Sequence, residues 1–228
     1  ISDGVIVVKE GHGLPLQHIR IHEAGHPVPD ERGIRGAGDV LSLVSAAGER
    51  DLLLCVISGG GSALLVAPAE GVSLEDKQEV TRLLLACGAD IHEINTVRKH
   101  LSRAKGGWLA RFAHPATVVT LILSDVIGDD LNVIGSGPTV PDSSTFADAE
   151  GVLKKYDIWD RVPSPVRDRF LAGLKGDTQD TPKSDDIVFQ RCYSELVGTN
   201  IQALMAASKE AERQGYRPLI LSSTVEGE

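Results

Sequence analysis

Short apolar runs alternate along the chain with stretches whose apolar residues recur at helical spacing. The runs, rich in leucine and β-branched residues, cover residues 5–9, 19–23, 52–57, 117–123, 192–197 and 217–221. Strands that are apolar along their whole length are typical of parallel sheets with helices on both faces. The alternation therefore predicts an α/β fold, a three-layer Rossmann-like domain with a mainly parallel sheet and helices on both faces.

Helices are predicted at residues 34–47, 74–87 and 200–214. The second has the clearest signals, since Ser73 can cap it, Asp76 stands at the capping-box position and Gly88 can end it. Residues from about 160 to 186 are rich in Pro, Gly, Asp and Lys and have weaker periodicity, which predicts a peripheral helix and loops.

We find no internal repeat and no boundary strong enough to divide residues 1–228. A single α/β domain is therefore expected. Ile1 leads directly into the first strand, and residues 225–228 end the sequence without a terminating element, so we expect a fragment of a longer protein.

Composition and charge argue against several classes of protein. The 228 residues include 32 acidic and 23 basic side chains, a formal net charge of -9, so no broad cationic field is available to bind a nucleic acid. No apolar run approaches the roughly 20 residues of a membrane span. Cys55, Cys87 and Cys192 are far apart among apolar neighbours, which favours reduced core thiols and a cytoplasmic protein, and no Cys-x-x-Cys pair indicates zinc.

A glycine-rich loop follows the predicted strand at 52–57. It consists of Ser58, Gly59, Gly60, Gly61 and Ser62. Ligands of open α/β sheets bind at the carboxyl ends of strands, and residues without Cβ let backbone N–H groups approach an anion closely. The plain alternative is a flexible turn. No Walker loop occurs, and the glycines at 11 and 13 lack the third glycine of a dinucleotide fingerprint, because Leu16 stands in its place.

The densest basic stretch of this acidic chain contains Asn95, Arg98 and Lys99. Arginine forks and lysine point charges are the usual partners of phosphate or carboxylate. Adjacent Arg and Lys more often form a solvated helix face, which is the alternative here. Gly106 and Gly107 then resemble the start of a helix, whose free N–H groups favour anions.

An acidic turn follows the predicted strand at 117–123 and contains Asp125 and Asp129. Such carboxylates can hold Mg²⁺ or deprotonate an alcohol, although an acidic turn alone is commonly structural. A second loop of small residues follows: Ser136, Gly137, Pro138 and Thr139. A glycine cradle, a basic pair and a carboxylate pair near strand ends together suggest phosphoryl transfer, which requires positioning and charge neutralisation.

At these residues the chain resembles the glycerate 2-kinase family, whose members carry a C-terminal module known as MOFRL and are sometimes named hydroxypyruvate reductases. The resemblance rests on residues 24–30, 58–63, 95–99, 105–107, 124–129, 136–139 and 198–200, in the family's order. It implies ATP-dependent phosphorylation of D-glycerate to 2-phosphoglycerate with Mg²⁺. The reaction would take place between this Rossmann-like domain and a smaller C-terminal α/β domain. That second domain, like the family's N-terminal Gly-Lys motif, has no matching residues here.

The resemblance also implies roles for the matching residues. Gly59, Gly60, Gly61 and Ser62 would bind phosphate or the substrate carboxylate, together with Ser58, Asn95, Ser136, Gly137 and Thr139. Arg98 and Lys99 would counter negative charge. Asp125 would orient or deprotonate the glycerate hydroxyl, and Asp129 would hold Mg²⁺, two roles that could be exchanged.

Two other functions stay open. One is a hydroxypyruvate reductase, against which the missing dinucleotide fingerprint counts. The other is a non-catalytic anion-binding domain of similar fold, because a fold alone does not fix a function. A homodimer is compatible with the sequence, which does not give the oligomeric state.

Overall fold

The computed structural model describes residues 1–225, in which strands and helices alternate. In chain order the elements are β1 (Val5–Lys9), β2 (Arg20–Ala24), α1 (Glu31–Ser45), β3 (Leu52–Ile57), α2 (Gly61–Leu64), α3 (Leu74–Ala86), α4 (Ile91–His100), α5 (Trp108–Ala113), β4 (Thr117–Leu123), α6 (Phe146–Lys155), α7 (Ser164–Lys175), β5 (Cys192–Gly198) and α8 (Asn200–Arg213). Short 3-10 turns lie at Ile134–Ser136, Trp159–Arg161 and Ile187–Arg191. Three helices and five of the six strands predicted from the sequence are confirmed.

The prediction of a strand at 217–221 is wrong. These residues form no regular secondary structure and pair with no strand in the described part of the chain, and the side chains of Leu219 and Leu221 are exposed. A strand requires a neighbour to complete its hydrogen bonds, which apolar composition alone does not supply.

The strands that the structure describes form two parallel sheets instead of one. One contains β1 and β2, and the other has the order β3, β4, β5. In the second sheet the pairing of β3 with β4 runs from Leu52 opposite Thr117 to Ile57 opposite Ile122. Because the two strands are parallel and in register, the loops that follow them leave the sheet at the same edge. These findings agree with the predicted Rossmann-like α/β fold.

Helices α1 and α5 cover one face of the three-stranded sheet. Their buried residues, among them Leu41, Val44 and Leu109, pack with Val118 of β4, and Leu53 of β3 lies against this cluster. On the opposite face Leu52, Leu54 and Val56 are exposed within the described residues. Successive side chains of β3 therefore point alternately to a face covered by helices and to an uncovered apolar face. The sequence predicted helices on both faces.

A second hydrophobic cluster is formed by helices α3, α4, α6 and α7, without a strand. The helix and loops predicted near residues 160–186 are confirmed, but the helix, α7, is less peripheral than expected, because its Phe170 and Val166 are fully buried in this cluster. Phe170 packs edge-on against Phe146 of α6, with ring centroids 5.9 Å apart. This helical cluster supplies one wall of the site described below.

Candidate active site

A cleft of about 1140 Å³ lies between the carboxyl ends of β3 and β4 and the helices α3 and α4. Its position follows from the parallel pairing, which brings the loop 58–62 and the acidic turn after β4 to one edge of the sheet. Seven of the residues predicted for the site line the cleft: Ser58, Gly60, Gly61, Ser62, Asn95, Arg98 and Asp125. The other six do not line it: Gly59, Lys99, Asp129, Ser136, Gly137 and Thr139.

The glycine loop is fixed by the side chains packed against it. Gly60 has a φ of 82°, and a Cβ at this position would lie 2.8 Å from Nε2 of His26. At Gly59 a Cβ would occupy the space taken by the carboxylate of Asp125. Only residues without a side chain therefore fit between His26 and Asp125. The loop then leads into the short helix α2.

Helix α4 carries the basic stretch, and its rotation decides which side chains reach the cleft. Asp90 caps its first turn in a capping box with Glu93. Asn95 and Arg98, three residues apart, lie on the face that lines the cleft. Lys99 lies on the other side of Asn95, about 100° round the helix from Arg98, and its side chain reaches Asp142 instead of the cleft.

Lys99 forms a buried ion pair outside the cleft. Its Nζ donates to Oδ1 of Asp142 at 3.1 Å, and the two side chains are 7% and 1% exposed. Asp142 also accepts hydrogen bonds from Ser144 and Thr181. Burial alone would raise the pKa of Asp142, but Lys99 and the bonds from Ser144 outweigh it and hold this pKa below its ordinary value. The geometry gives Lys99 a structural environment, in contrast to the role expected from the sequence.

Besides Arg82, which is paired with Glu79, three cations line the cleft: Lys77, Arg98 and Lys105. Within residues 1–225 none of them has a carboxylate partner within 4.0 Å. Burial lowers the pKa of Lys77 to about 7, and repulsion from Arg98 and Arg169 adds to it. Burial likewise holds the pKa of Lys105 well below its ordinary value, with repulsion from Lys77 and Arg98. Buried unpaired cations are costly, so this cluster favours an anionic ligand.

The acidic turn contributes two carboxylates to the cleft. Asp125 lines it beside the glycine loop, and Asp130 lines it near the start of α4, where Oδ2 lies 4.0 Å from Nδ1 of His92. Asp129 has a φ of 55° and does not line the cleft. Among the described residues no group of three or more His, Cys, Asp and Glu side chains is arranged to hold a metal.

The second loop supports the site from behind. Ser136 is fully buried, and its Oγ lies 3.0 Å from Oγ of Ser62. The carbonyl of Gly137 accepts a bond from N of Gly107 at 2.8 Å, and Oγ1 of Thr139 accepts one from Thr120 at 2.9 Å. Gly137 and Thr139 thus hold the loop in place, although the sequence indicated contact with a ligand.

Sequence reasoning did not place Lys77, Lys105, Asp130 or His92 in the site, and it gave no role to His26, which lies in the segment 24–30 used for the resemblance. Lys105 had a signal, because it precedes two glycines in a segment that the resemblance already used. Asp130 directly follows Asp129 and could have been included with it. Lys77 had no signal in the sequence, because a lysine within a helix is usually solvated, whereas the Lys77 residue is only 8% exposed.

The chain is similar to known proteins over most of its length. The family described as "Domain of unknown function (DUF4147)" matches residues 1–171. The chain is 48% identical over 228 residues to a protein of Pyrococcus horikoshii named "Glycerate 2-kinase", covering 100% of this chain and 51% of that protein. It is 46% identical over 225 residues to a "Putative hydroxypyruvate reductase" of Agrobacterium vitis, covering 99% and 49%.

A solved structure is also similar to this chain. The crystal structure of a glycerate kinase from Thermotoga maritima matches with a TM-score of 0.86 and 45% identity, covering 97% of this chain and 50% of that one. This chain therefore spans about half the length of the relatives it matches. None of its described helices combines the length and apolar character needed to cross a membrane.

Proposed function

The chain belongs to the DUF4147 family, and we propose from this premise that it is part of an enzyme that phosphorylates D-glycerate to 2-phosphoglycerate with ATP. The observation that carries the proposal is the cleft lined by the buried Lys77 and Lys105 and the half-buried Arg98, none of which has an acidic partner among the described residues. Phosphoryl transfer requires such a concentration of positive charge, because negative charge on the phosphoryl oxygens must be neutralised. The names of the relatives support the same reaction.

Asp125 is proposed as the group that orients the glycerate hydroxyl and accepts its proton. The carboxylate lies against Gly59 at the end of β4, where a substrate on the loop 58–62 is within reach. Arg98 and Lys77 would hold the transferred phosphoryl group and its neighbours from the helical side. Because Lys99 is paired with Asp142, we assign to Lys105 the role of countering negative charge that the resemblance implied for Lys99.

Mg²⁺ fits the cleft through one or two carboxylates, because this ion keeps several waters and takes its remaining ligands from phosphates. Asp130 lines the cleft and would hold it, while Asp125 serves the substrate hydroxyl. Asp129, the sequence-based candidate, has no contact with the cleft, so we extend the assignment to its neighbour Asp130. When bound, the ion would neutralise charge on the phosphate oxygens. The volume of about 1140 Å³ is sufficient for a nucleotide and a small acid.

The reductase that some relatives' names suggest is less compatible with the first strand. The turn after β1 carries Gly11 and Gly13, whose N–H groups donate to Oε2 and Oε1 of Glu23 at 3.1 and 2.9 Å. Those donors are the ones that a dinucleotide pyrophosphate would need. A cytoplasmic location and a single domain for residues 1–228 stay predictions, and the free Cys55, Cys87 and Cys192 fit a reducing compartment.

The proposal is tested with the full-length protein, ATP, Mg²⁺ and D-glycerate, with the product passed to enolase. Enolase converts 2-phosphoglycerate directly, so its action without added mutase identifies the product. A parallel assay supplies hydroxypyruvate and NADH without ATP. ATP-dependent formation of 2-phosphoglycerate supports the kinase, whereas NADH oxidation without ATP-dependent turnover would replace it by the reductase.

A further inference from the structure

A continuous chain of hydrogen bonds crosses the floor of the cleft. Nζ of Lys105 donates to the carbonyl and to Oγ of Ser62, at 2.7 and 3.1 Å. Oγ of Ser62 lies 3.0 Å from Oγ of Ser136, which donates to Oδ1 of Asn95 at 3.0 Å. The chain therefore links the end of the glycine loop to helix α4.

The direction of these bonds can be derived. Oδ1 of Asn95 can only accept, so the hydroxyl of Ser136 donates to it. Ser136 has then used its proton, and Ser62 must donate to Ser136. Ser62 in turn accepts from Lys105. Two sets of donor hydrogens remain without a partner in this chain of bonds: those on Nδ2 of Asn95 and the third hydrogen of the Lys105 ammonium.

Both donors are buried, and both residues line the cleft. Lys105 is 2% exposed and Asn95 is 3% exposed. Nδ2 of Asn95 is buried without any hydrogen-bond partner among the described residues. A buried donor without an acceptor costs free energy, and a buried ammonium without a counter-ion costs more. These two groups favour a ligand that supplies acceptors and one negative charge.

We propose that Lys105 and Asn95 form the subsite for the carboxylate of the hydroxy-acid substrate. The inference rests on the proposed function and specifies where in the cleft the acid is held. A carboxylate offers two acceptor oxygens and one charge, which match one ammonium and one amide. A polyphosphate carries several charges and requires the wider cationic surface of Lys77 and Arg98 on the helical side.

The loop 58–62 gives the spacing between the two ends of the substrate. Asp125 contacts the loop at Gly59, and Lys105 contacts it at Ser62. A small hydroxy acid lying along the loop presents its hydroxyl to Asp125 and its carboxylate to Lys105. The subsite thereby selects hydroxy acids against polyols such as glycerol, which has similar hydroxyls but no carboxylate.

The test is calorimetric binding of D-glycerate, and separately of ATP with Mg²⁺, to the full-length protein. Loss of a charged hydrogen bond weakens binding by about 10- to 100-fold, so Lys105→Met should raise the Kd of D-glycerate by that factor. The Kd of ATP should change less than about threefold. The matched variant Lys77→Met, another buried lysine in the same cleft, should weaken ATP binding and spare D-glycerate.

Thermal unfolding separates binding from a structural role. Saturating D-glycerate should raise the Tm of the wild type and of Lys77→Met but not that of Lys105→Met. A lysine that acted only through its bonds to Ser62 would, on replacement, lower the Tm of the ligand-free protein and leave the shift caused by D-glycerate unchanged. Asn95→Asp is the second variant and keeps the test decisive if Lys105→Met does not fold. Its carboxylate would pair with the cation at the subsite, so D-glycerate binding should be lost while ATP binding remains.

The outcomes are distinct. An unchanged Kd for D-glycerate in the folded variants overturns the subsite, and so does an equal loss of ATP and D-glycerate binding, which would indicate a phosphate ligand. Wild-type protein that neither binds nor phosphorylates D-glycerate contradicts the proposed function itself. If the wild type phosphorylates D-glycerate and the Lys105 and Asn95 variants bind it as tightly as the wild type does, only the inference about Lys105 and Asn95 is contradicted.

Discussion

Replacing Lys99 by methionine separates the role indicated by the sequence from the one indicated by the structure. The sequence suggested a cation in contact with phosphate or substrate. In the fold its ammonium is buried against Asp142 at 3.1 Å, on a different face of α4 from Arg98. The variant should therefore lose stability and keep its activity.

The size of the loss follows from the burial of the pair. Removing one partner of a buried ion pair costs about 3–5 kcal/mol, because the remaining charge is left uncompensated. Asp142 keeps hydrogen bonds from Ser144 and Thr181, which places the expected loss near the lower end, at about 3 kcal/mol. For a chain of this length that corresponds to a fall in Tm of about 6 to 12 °C.

The assay combines thermal unfolding with steady-state kinetics at a temperature well below Tm. Lys99→Met should show the lower Tm with kcat and KM within about twofold of the wild type. The exposed Lys209→Met is the control and should change neither. A variant of normal stability whose KM for ATP or D-glycerate rises tenfold or more would refute the structural role and restore Lys99 to the site.

Two further predictions concern the glycine loop and acid stability. In Gly59→Ala the new Cβ would displace the carboxylate of Asp125. Because an error of about 1 Å in the position of a reacting group can cost about 10²-fold in rate, kcat should fall by that order in steady-state assays. An unchanged kcat would contradict the close approach of Asp125 to Gly59. Burial raises the pKa of Asp180, but a hydrogen bond from His100 and nearby positive charge outweigh it, so this pKa lies below its ordinary value. The carboxylate thus stabilises the fold above pH of about 4, its unfolded pKa, and loses that contribution as pH falls further. Urea titrations should show Asp180→Asn less stable than wild type at pH 7, with the difference shrinking below pH 4; a constant difference would argue against the linkage.

The strands and loops of the site could be predicted because local signals determine them. Residues 52–57 are a continuous apolar run, and residues 117–123 are apolar or β-branched throughout. Small or acidic residues follow each run, and both form strands at those bounds. Parallel strands bring their following loops to one edge, so the proximity of the glycine loop and Asp125 followed from sequence order.

The identity of the cations could not be predicted, because it depends on helix rotation and burial. Arg98 and Lys99 are equivalent in the sequence, yet the packing of α4 turns one to the cleft and the other to Asp142. Lys77 is buried where its Nζ donates to the carbonyl of Leu101, and Lys105 where its Nζ donates to Ser62, contacts between segments far apart in the sequence. Tertiary packing, which no local pattern specifies, thus selects the charged residues of the site.

The buried cluster of helices α3, α4, α6 and α7 was not predicted from the sequence, because the local signals of several of these helices are short. Its helix α7 begins with proline residues around Ser164 and ends at Gly176, so the periodicity of Val166 and Phe170 is short and surrounded by turn residues. Helices α4 and α6 were missed although their capping boxes, Asp90 with Glu93 and Thr145 with Asp148, are visible in the sequence.

The most direct test of the account is turnover of D-glycerate with ATP by wild-type full-length protein and by Asp125→Asn, measured under the same conditions with Tm recorded for both. The asparagine keeps the shape of the side chain beside Gly59 but cannot accept the hydroxyl proton. General-base catalysis contributes about 10² to 10⁴-fold, so we expect kcat to fall by that factor while Tm stays unchanged. A folded Asp125→Asn variant with near wild-type kcat would contradict the assignment of this cleft as the site of phosphoryl transfer.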